Sequence, residues 1–116
     1  MTAFCDKLTE LERKAGRLPA GMSYQLPTEA QWEYAARGGS GKSRFWGDDP
    51  NQACRYANVA DQTLKSRMNY TRPIHECTDK HVQSAPVGSY LANSFGLHDM
   101  LGNVWEWTED CWAANY

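Results

Sequence analysis

The segment from Phe95 to Asp110, FGLHDMLGNVWEWTED, holds the residues of this chain whose types and spacing best suit chemistry. Two glycines, an asparagine and a carboxylate come before or within a Trp-x-Trp pair. Glycine lets the backbone turn tightly, oxygen atoms are the ligands of hard cations, and large aromatic rings favour burial. The pattern therefore predicts a tight loop that presents carbonyl oxygens to a hard cation and then enters a core.

A second segment, from Gln25 to Gly39, reads as a helix with both ends marked. Thr28 is a good N-cap, and Gln31 three residues later completes a capping box. Gly38 or Gly39 supplies a left-handed C-terminal cap. We therefore predict a helix over about residues 28–37.

The remaining elements are a helix, short strands and loops. Residues 2–15 carry apolar side chains at helical spacing and end at Gly16. We predict one short extended segment at residues 24–26 and a short strand at 87–90. Residues 104–108 alternate in polarity, so we predict a core strand there. No periodicity is sustained between residues 40 and 85. The pattern alone favours a loop-rich α+β domain.

Bulk properties narrow the class of protein. The chain has 116 residues, which fits one domain, and its net charge is -2. This balance disfavours nucleic acid and anionic membranes as partners. No apolar run approaches the roughly 18 residues of a membrane span, and the first residues lack the layout of an export signal.

Five ordered motifs resemble the formylglycine-generating enzyme family, also called the sulfatase-modifying-factor domain. They spread over roughly residues 2–112 and include LPTEAQWEYAARGG at 26–39, FWGD at 45–48, YANV at 56–59, APVGS at 85–89 and NSFGLHDMLGNVWEW at 93–107. The resemblance implies an irregular, loop-rich α+β fold related to C-type-lectin-like domains. It also implies that residues 1–116 match the central portion of the family domain, incomplete at both ends, with a long insertion at about 40–85.

The same resemblance implies two structural calcium sites. Calcium takes six to eight oxygen ligands, often mixing carboxylates with backbone carbonyls. The first set has side-chain ligands from Asn58 and Asp79 and carbonyl ligands from Val59 and His81. The second set has Glu106 as its side-chain ligand, and its other members are Leu101, Gly102 and Val104.

Family enzymes hold copper(I) between two cysteine thiolates and use O₂ to oxidise a cysteine of a sulfatase peptide to formylglycine. Soft thiolates suit copper(I). In the family those cysteines follow the Trp-x-Trp motif at a distance, and none of the four cysteines of this chain aligns with them. We therefore expect neither catalytic nor copper-binding residues here and no activity of the chain by itself, although the lineage is that of an oxidoreductase.

The four cysteines allow more than one thiol state. Cys5 lies on an amphipathic helix and reads as a buried thiol. Cys54 and Cys77 flank a polar insertion, and a disulfide would staple that loop if the protein is exported. Cys111 could pair with a residue beyond Tyr116. Four free thiols are the alternative.

Two further functional hypotheses stay open beside the oxidase lineage. One is a non-enzymatic module that binds a protein, a peptide or a sugar through residues 60–84 and the Phe45-Trp46 pair. The other is a fragment related to iron-dependent sulfoxide synthases, but their His-x-x-x-His-x-Glu motif is not matched by His75, His81 or His98. A homo-oligomer that covers exposed edges is a further expectation.

Overall fold

The structure is a computed structural model that describes residues 2–111. It divides into two compact units, one formed by residues 2–32 and 106–111 and the other by residues 33–105. Within residues 2–111, no helix is both long and apolar enough to cross a membrane.

Helix α1 runs over Thr2–Lys14 in the first unit, as the apolar spacing predicts. Gly16 follows it with a positive φ of 69°, and its N–H donates to the carbonyl of Arg13. The buried hydroxyl of Thr9 joins the helix to the next segment, since it donates to the Cys5 carbonyl and accepts from the Tyr24 N–H. The predicted helix and its glycine stop are both confirmed.

Helix α2 runs over Glu29–Arg37 and begins with the predicted capping box. The Gln31 N–H donates to the Thr28 hydroxyl, and the Gln31 side-chain oxygen accepts from the Thr28 N–H. Gly38 and Gly39 both have positive φ, which suits the left-handed end of a helix. The local sequence therefore fixes both ends of this helix.

Two short helices lie in the stretch where no periodicity is visible. A 3₁₀-helix spans Pro50–Arg55, and helix α3 spans Gln62–Arg67. Asp49 caps the first and Asp61 caps the second with their side chains. Each element is too short to show a repeat of apolar residues, so only the capping aspartates mark it in the sequence.

The predicted strands are wrong for the part of the chain that the structure describes. Residues 24–26, 87–90 and 104–108 form no strand, and the one isolated bridge joins Arg44 to Gly47. A strand needs a neighbour that accepts its backbone hydrogen bonds, and residues 2–111 contain no such ladder. Trp105 is 100% exposed, so the polarity alternation there does not mark a buried face either.

The second unit is built on small buried residues and buried polar groups. Its buried apolar residues are all alanines, Ala36, Ala53, Ala57 and Ala85. The buried side chain of Asn93 donates to the carbonyls at the end of α2 and accepts from the N–H groups of Phe95 and Leu97. Small side chains allow loops to approach closely, and polar side chains then satisfy their backbone groups.

Candidate functional site

Asp79 joins two loops of the second unit. Its carboxylate oxygens accept from the N–H of Val59 at 2.8 Å and from the N–H of His81 at 2.8 Å. Asn58 directly precedes Val59, and its side-chain amide donates to the Gln83 carbonyl. The structure thus brings the four residues of the first predicted calcium set into one hydrogen-bonded neighbourhood.

A second carboxylate, Asp61, lies beside Asp79. It is 0% exposed, and Asp79 is 5% exposed. Asp61 accepts from the Leu64 N–H at 2.9 Å, from the Thr63 hydroxyl at 2.9 Å and from the Asp79 N–H at 2.6 Å. Asp61 was not predicted as a site residue, although an aspartate directly before the short helix Gln62–Arg67 is a helix-capping signal.

The two carboxylates differ in their pKa. Burial raises the pKa of Asp79 above its usual value, and the negative charge of Asp61 adds to this effect. Burial also opposes ionisation of Asp61, but the N–H groups of Leu64 and Asp79 outweigh it and lower the pKa of Asp61. Burial and the neighbouring carboxylates raise the pKa of Tyr90 to about 12. Two acidic side chains thus lie side by side in the interior of this unit, with their pKa values shifted in opposite directions.

A disulfide closes the same region. Cys54 and Cys77 are joined, which is one of the thiol states that the sequence left open. The Cys54 sulfur and one carboxylate oxygen each from Asp61 and Asp79 all lie within 4.8 Å of one another. Cys5 is a half-buried free thiol, and Cys111 is an exposed free thiol.

The Gly102-Asn103 turn packs against the loop that carries Asn58. Gly102 has φ of 82°, and a Cβ there would overlap the Asn58 carbonyl oxygen. That carbonyl accepts from the Asn103 N–H at 2.9 Å. The Asn103 side chain pairs with both backbone groups of Ala85. This turn is a structural junction, and only glycine allows so close an approach at position 102.

The second predicted calcium set is divided between the two units. Leu101, Gly102 and Val104 belong to the second unit, where the Gly102 carbonyl accepts from the Val104 N–H at 3.0 Å. Glu106 belongs to the first unit, where its carboxylate accepts from the indole N–H of Trp32. This second set therefore stays a prediction from sequence.

A cleft of about 900 Å³ opens on the second unit. Its apolar wall includes Tyr70, Ile74 and Trp105, and Gln83 and Ser84 add polar side chains. Among residues 2–111, no lysine, arginine, aspartate or glutamate lines it, and His75 is its one histidine. Most of its lining residues lie within 60–84, the segment predicted to form a binding surface. Asn58, Gly102 and Asn103 also line it.

The other residues singled out from the sequence have structural partners. Phe45 and Trp46 form a half-buried cluster with Tyr56, in which the Trp46 and Tyr56 rings stack at 5.2 Å. His75 pairs through Nδ1 with the Pro50 carbonyl, and His98 pairs through Nδ1 with the Tyr90 carbonyl. The His98 side chain is exposed.

Comparison with known proteins identifies the family. The family model for the sulfatase-modifying factor enzyme 1-like domain matches residues 1–116. The chain therefore belongs to this family, as its motifs predict.

Named relatives agree with this assignment. The chain is 38% identical over 95 residues to a formylglycine-generating enzyme of Thermomonospora curvata, covering 79% of this chain and 29% of that protein. It is 36% identical over 98 residues to an inactive C-alpha-formylglycine-generating enzyme 2 of Mus musculus, covering 81% of this chain and 28% of that protein. The chain thus spans less than a third of the length of these relatives.

A solved structure is similar as well. The structure of PvdO from Pseudomonas aeruginosa matches with a TM-score of 0.55 and 28% identity, covering 94% of this chain and 36% of that chain. The fold described above is therefore that of the family, with its helices separated by long loops.

Replacing Gly102 with alanine should destabilise the second unit. The new Cβ would meet the Asn58 carbonyl and also force an L-residue into a left-handed conformation. The second effect alone costs roughly 1–2 kcal/mol, and the overlap adds to it. Denaturant unfolding would measure the loss of free energy.

Gly96→Ala is the matched control, because Gly96 has φ of 77° and open space around its Cβ position. Equal losses in the two variants would show that the close approach at Gly102 is energetically unimportant.

Proposed function

We propose that this chain is a calcium-organised domain of the oxidase lineage that does not carry out the oxidation by itself. The observation that carries the proposal is the Asp79 carboxylate, which is buried and bridges the loops of Val59 and His81. Calcium would bind the first predicted set and hold these loops together.

The donor chemistry of the first set fits calcium. A carboxylate offers about four acceptor positions, and Asp79 uses two of them for N–H groups. Within residues 2–111, the carbonyls of Val59 and His81 accept no hydrogen bond. The Asn58 amide nitrogen donates to Gln83, which leaves its side-chain oxygen for a cation. These are the hard oxygen ligands that calcium prefers.

Calcium would also compensate the buried charge. The salt bridges of the described residues use other acids, Glu10, Glu12, Glu33 and Asp48. Asp61 and Asp79 have no lysine or arginine partner among residues 2–111, although both are buried. A bound dication would favour the ionised form of Asp79 and offset its desolvation.

Calcium should raise the thermal stability of the oxidised chain. A ligand at about 100 times its dissociation constant adds about 2.7 kcal/mol if it binds only the native state. For a domain of this size, that energy corresponds to a shift of roughly 10 °C or more. Calorimetry in calcium and in EDTA would measure the shift.

Asp79→Asn should abolish this shift because it removes the charged ligand of the first set. Asp99→Asn is the matched control, since Asp99 belongs to the same unit but to neither calcium set, and asparagine tolerates its positive φ. An unchanged calcium shift in Asp79→Asn would remove the first set from consideration.

The state of the cysteines supports the proposed lack of oxidase activity. Copper(I) between two thiolates needs two reduced cysteines close together. In the second unit, Cys54 and Cys77 are consumed in a disulfide. Neither they nor Cys5 and Cys111 align with the catalytic pair of the family.

The chain alone should not convert a sulfatase-type Cys-x-Pro-x-Arg peptide to its aldehyde. The assay would contain copper, O₂ and a thiol reductant, with mass spectrometry of the peptide as the readout. A complete formylglycine-generating enzyme is the positive control, and copper without protein is the background. Aldehyde formation well above that background would overturn the proposed lack of oxidase activity.

The cleft favours a second candidate function, the binding of a neutral peptide. Among the described residues, its lining combines aromatic and aliphatic side chains with amide, hydroxyl and imidazole groups and contains no lysine, arginine, aspartate or glutamate. Aromatic anchors in a pocket commonly dominate peptide binding, and neutral polar groups can pair with a peptide backbone. Trp105, which is fully exposed at the cleft, is the strongest candidate anchor.

Short neutral peptides with one tryptophan or phenylalanine should bind more tightly than the same peptides with alanine there. Trp105→Ala should weaken this binding by about tenfold, which corresponds to about 1.4 kcal/mol. Trp107→Ala is the matched control, because Trp107 is also exposed but does not line the cleft. Calorimetric titration would measure the dissociation constants of the peptides. Equal weakening by the two variants would exclude the peptide hypothesis, and so would binding of glycans without binding of peptides.

A further inference from the structure

The Cys54–Cys77 disulfide meets the two buried carboxylates at its Cys54 sulfur, which forms a cluster of three donors with Asp61 and Asp79. The sulfur of Cys54 and one oxygen each of Asp61 and Asp79 lie within 4.8 Å of one another, and Cys77 is bonded to that sulfur. Asp61 was not selected from the sequence, and neither cysteine belongs to a predicted metal set. The cluster lies wholly within the second unit.

We propose that reduction of the disulfide creates a site for a zinc-class divalent ion, with two thiolates and two carboxylates as ligands: Cys54, Cys77, Asp61 and Asp79. Zinc takes cysteine sulfur at about 2.3 Å and carboxylate oxygen at about 2.0–2.2 Å, in tetrahedral geometry. The ligand atoms of such a site are separated by roughly 3.5 Å. The Cys54 sulfur and the two carboxylates therefore need only a small contraction to enclose the ion. The Cys77 sulfur, once its bond to Cys54 is broken, would have to move away from Cys54 to complete the site.

The carboxylates keep free acceptor positions for a metal. Three donors occupy Asp61, namely the N–H groups of Leu64 and Asp79 and the hydroxyl of Thr63. Two N–H groups occupy Asp79. Because each carboxylate oxygen has about two acceptor positions, Asp79 keeps one on each oxygen. On Asp61, Thr63 and Asp79 both donate to Oδ2, so the free position is on Oδ1, which accepts from Leu64. The existing hydrogen bonds would hold both carboxylates in place as ligands.

The thiol state decides which metal this region can take. In the disulfide, both sulfurs are uncharged and bonded to each other, so only oxygen ligands are charged. A dithiol reductant supplies two electrons and two protons, which gives two thiols and the oxidised dithiol. A zinc ion then displaces the two thiol protons to solvent, because the thiolate is the metal ligand. Two added thiolates favour zinc over calcium.

The test compares zinc binding by the full chain in its oxidised and reduced states, without calcium. Zinc would be titrated with and without a dithiol that is removed before metal addition under anaerobic conditions. Cobalt(II) would report tetrahedral coordination and sulfur ligation by its absorption spectrum. We expect one tightly bound ion in the reduced chain and binding at least tenfold weaker in the oxidised chain.

Two sets of variants assign the ligands. Cys54→Ser with Cys77→Ser should remove the site, whereas Cys5→Ser with Cys111→Ser removes the other two thiols and should leave it. Asp61→Asn keeps a good helix N-cap but should weaken zinc binding by about tenfold or more, because even the loss of a residue that only supports a ligand costs about 10–100-fold. A reduced chain that has unfolded and binds through thiols alone would not respond to Asp61→Asn.

Three outcomes would overturn the inference. They are equal zinc binding by the oxidised chain, binding that survives loss of Cys54 and Cys77, and binding that is unaffected by Asp61→Asn. Absence of binding by the reduced chain would overturn it equally. The calcium proposal is tested separately on the oxidised chain, so either proposal can fail without the other.

Discussion

The structure depends on side chains that satisfy the backbone groups of loops. In a chain with few helices and no strand ladder among residues 2–111, most N–H and carbonyl groups lack a regular partner. Buried polar groups need hydrogen bonds, so short polar side chains take over this role. Asp61 caps α3, Asp79 joins two loops, Asn93 holds the end of α2, and Asn103 pairs with both backbone groups of Ala85. The small alanine core permits the close approach that these contacts require.

This way of stabilising loops also prepares a place for cations. Asp61 and Asp79 accept backbone hydrogen bonds best when they are ionised and buried. Burial of two neighbouring ionised carboxylates is unfavourable, however, without positive charge nearby. N–H donors compensate part of this cost, and a bound metal ion would compensate more. The proposed calcium site and the proposed thiol-dependent zinc site both rely on these buried, hydrogen-bonded carboxylates. In both cases, the groups that would bind a metal already organise the loops.

Local sequence was sufficient wherever neighbouring residues determine the structure. The capping box of Thr28 and Gln31 and the glycine stop after α1 involve contacts over a few residues, and both were predicted. The Cys54–Cys77 pairing was predicted as one of several thiol states. The strand predicted at residues 104–108 failed because polarity alternation describes only one chain segment, and a strand also needs a partner. The two short helices were missed because they span too few residues to show a period.

The sequence by itself determined the family, the two longer helices and the residue types available for chemistry. Five ordered motifs carry that information, and the family model matches the whole chain. Only the tertiary structure decided that Asp61 lies beside Asp79, that the Cys54 sulfur completes their cluster, and that Trp105 is exposed at a cleft. These residues are distant in sequence, and no local pattern encodes how loops fold back on one another. Long-range contacts between irregular segments are set by packing and hydrogen bonding of the complete unit.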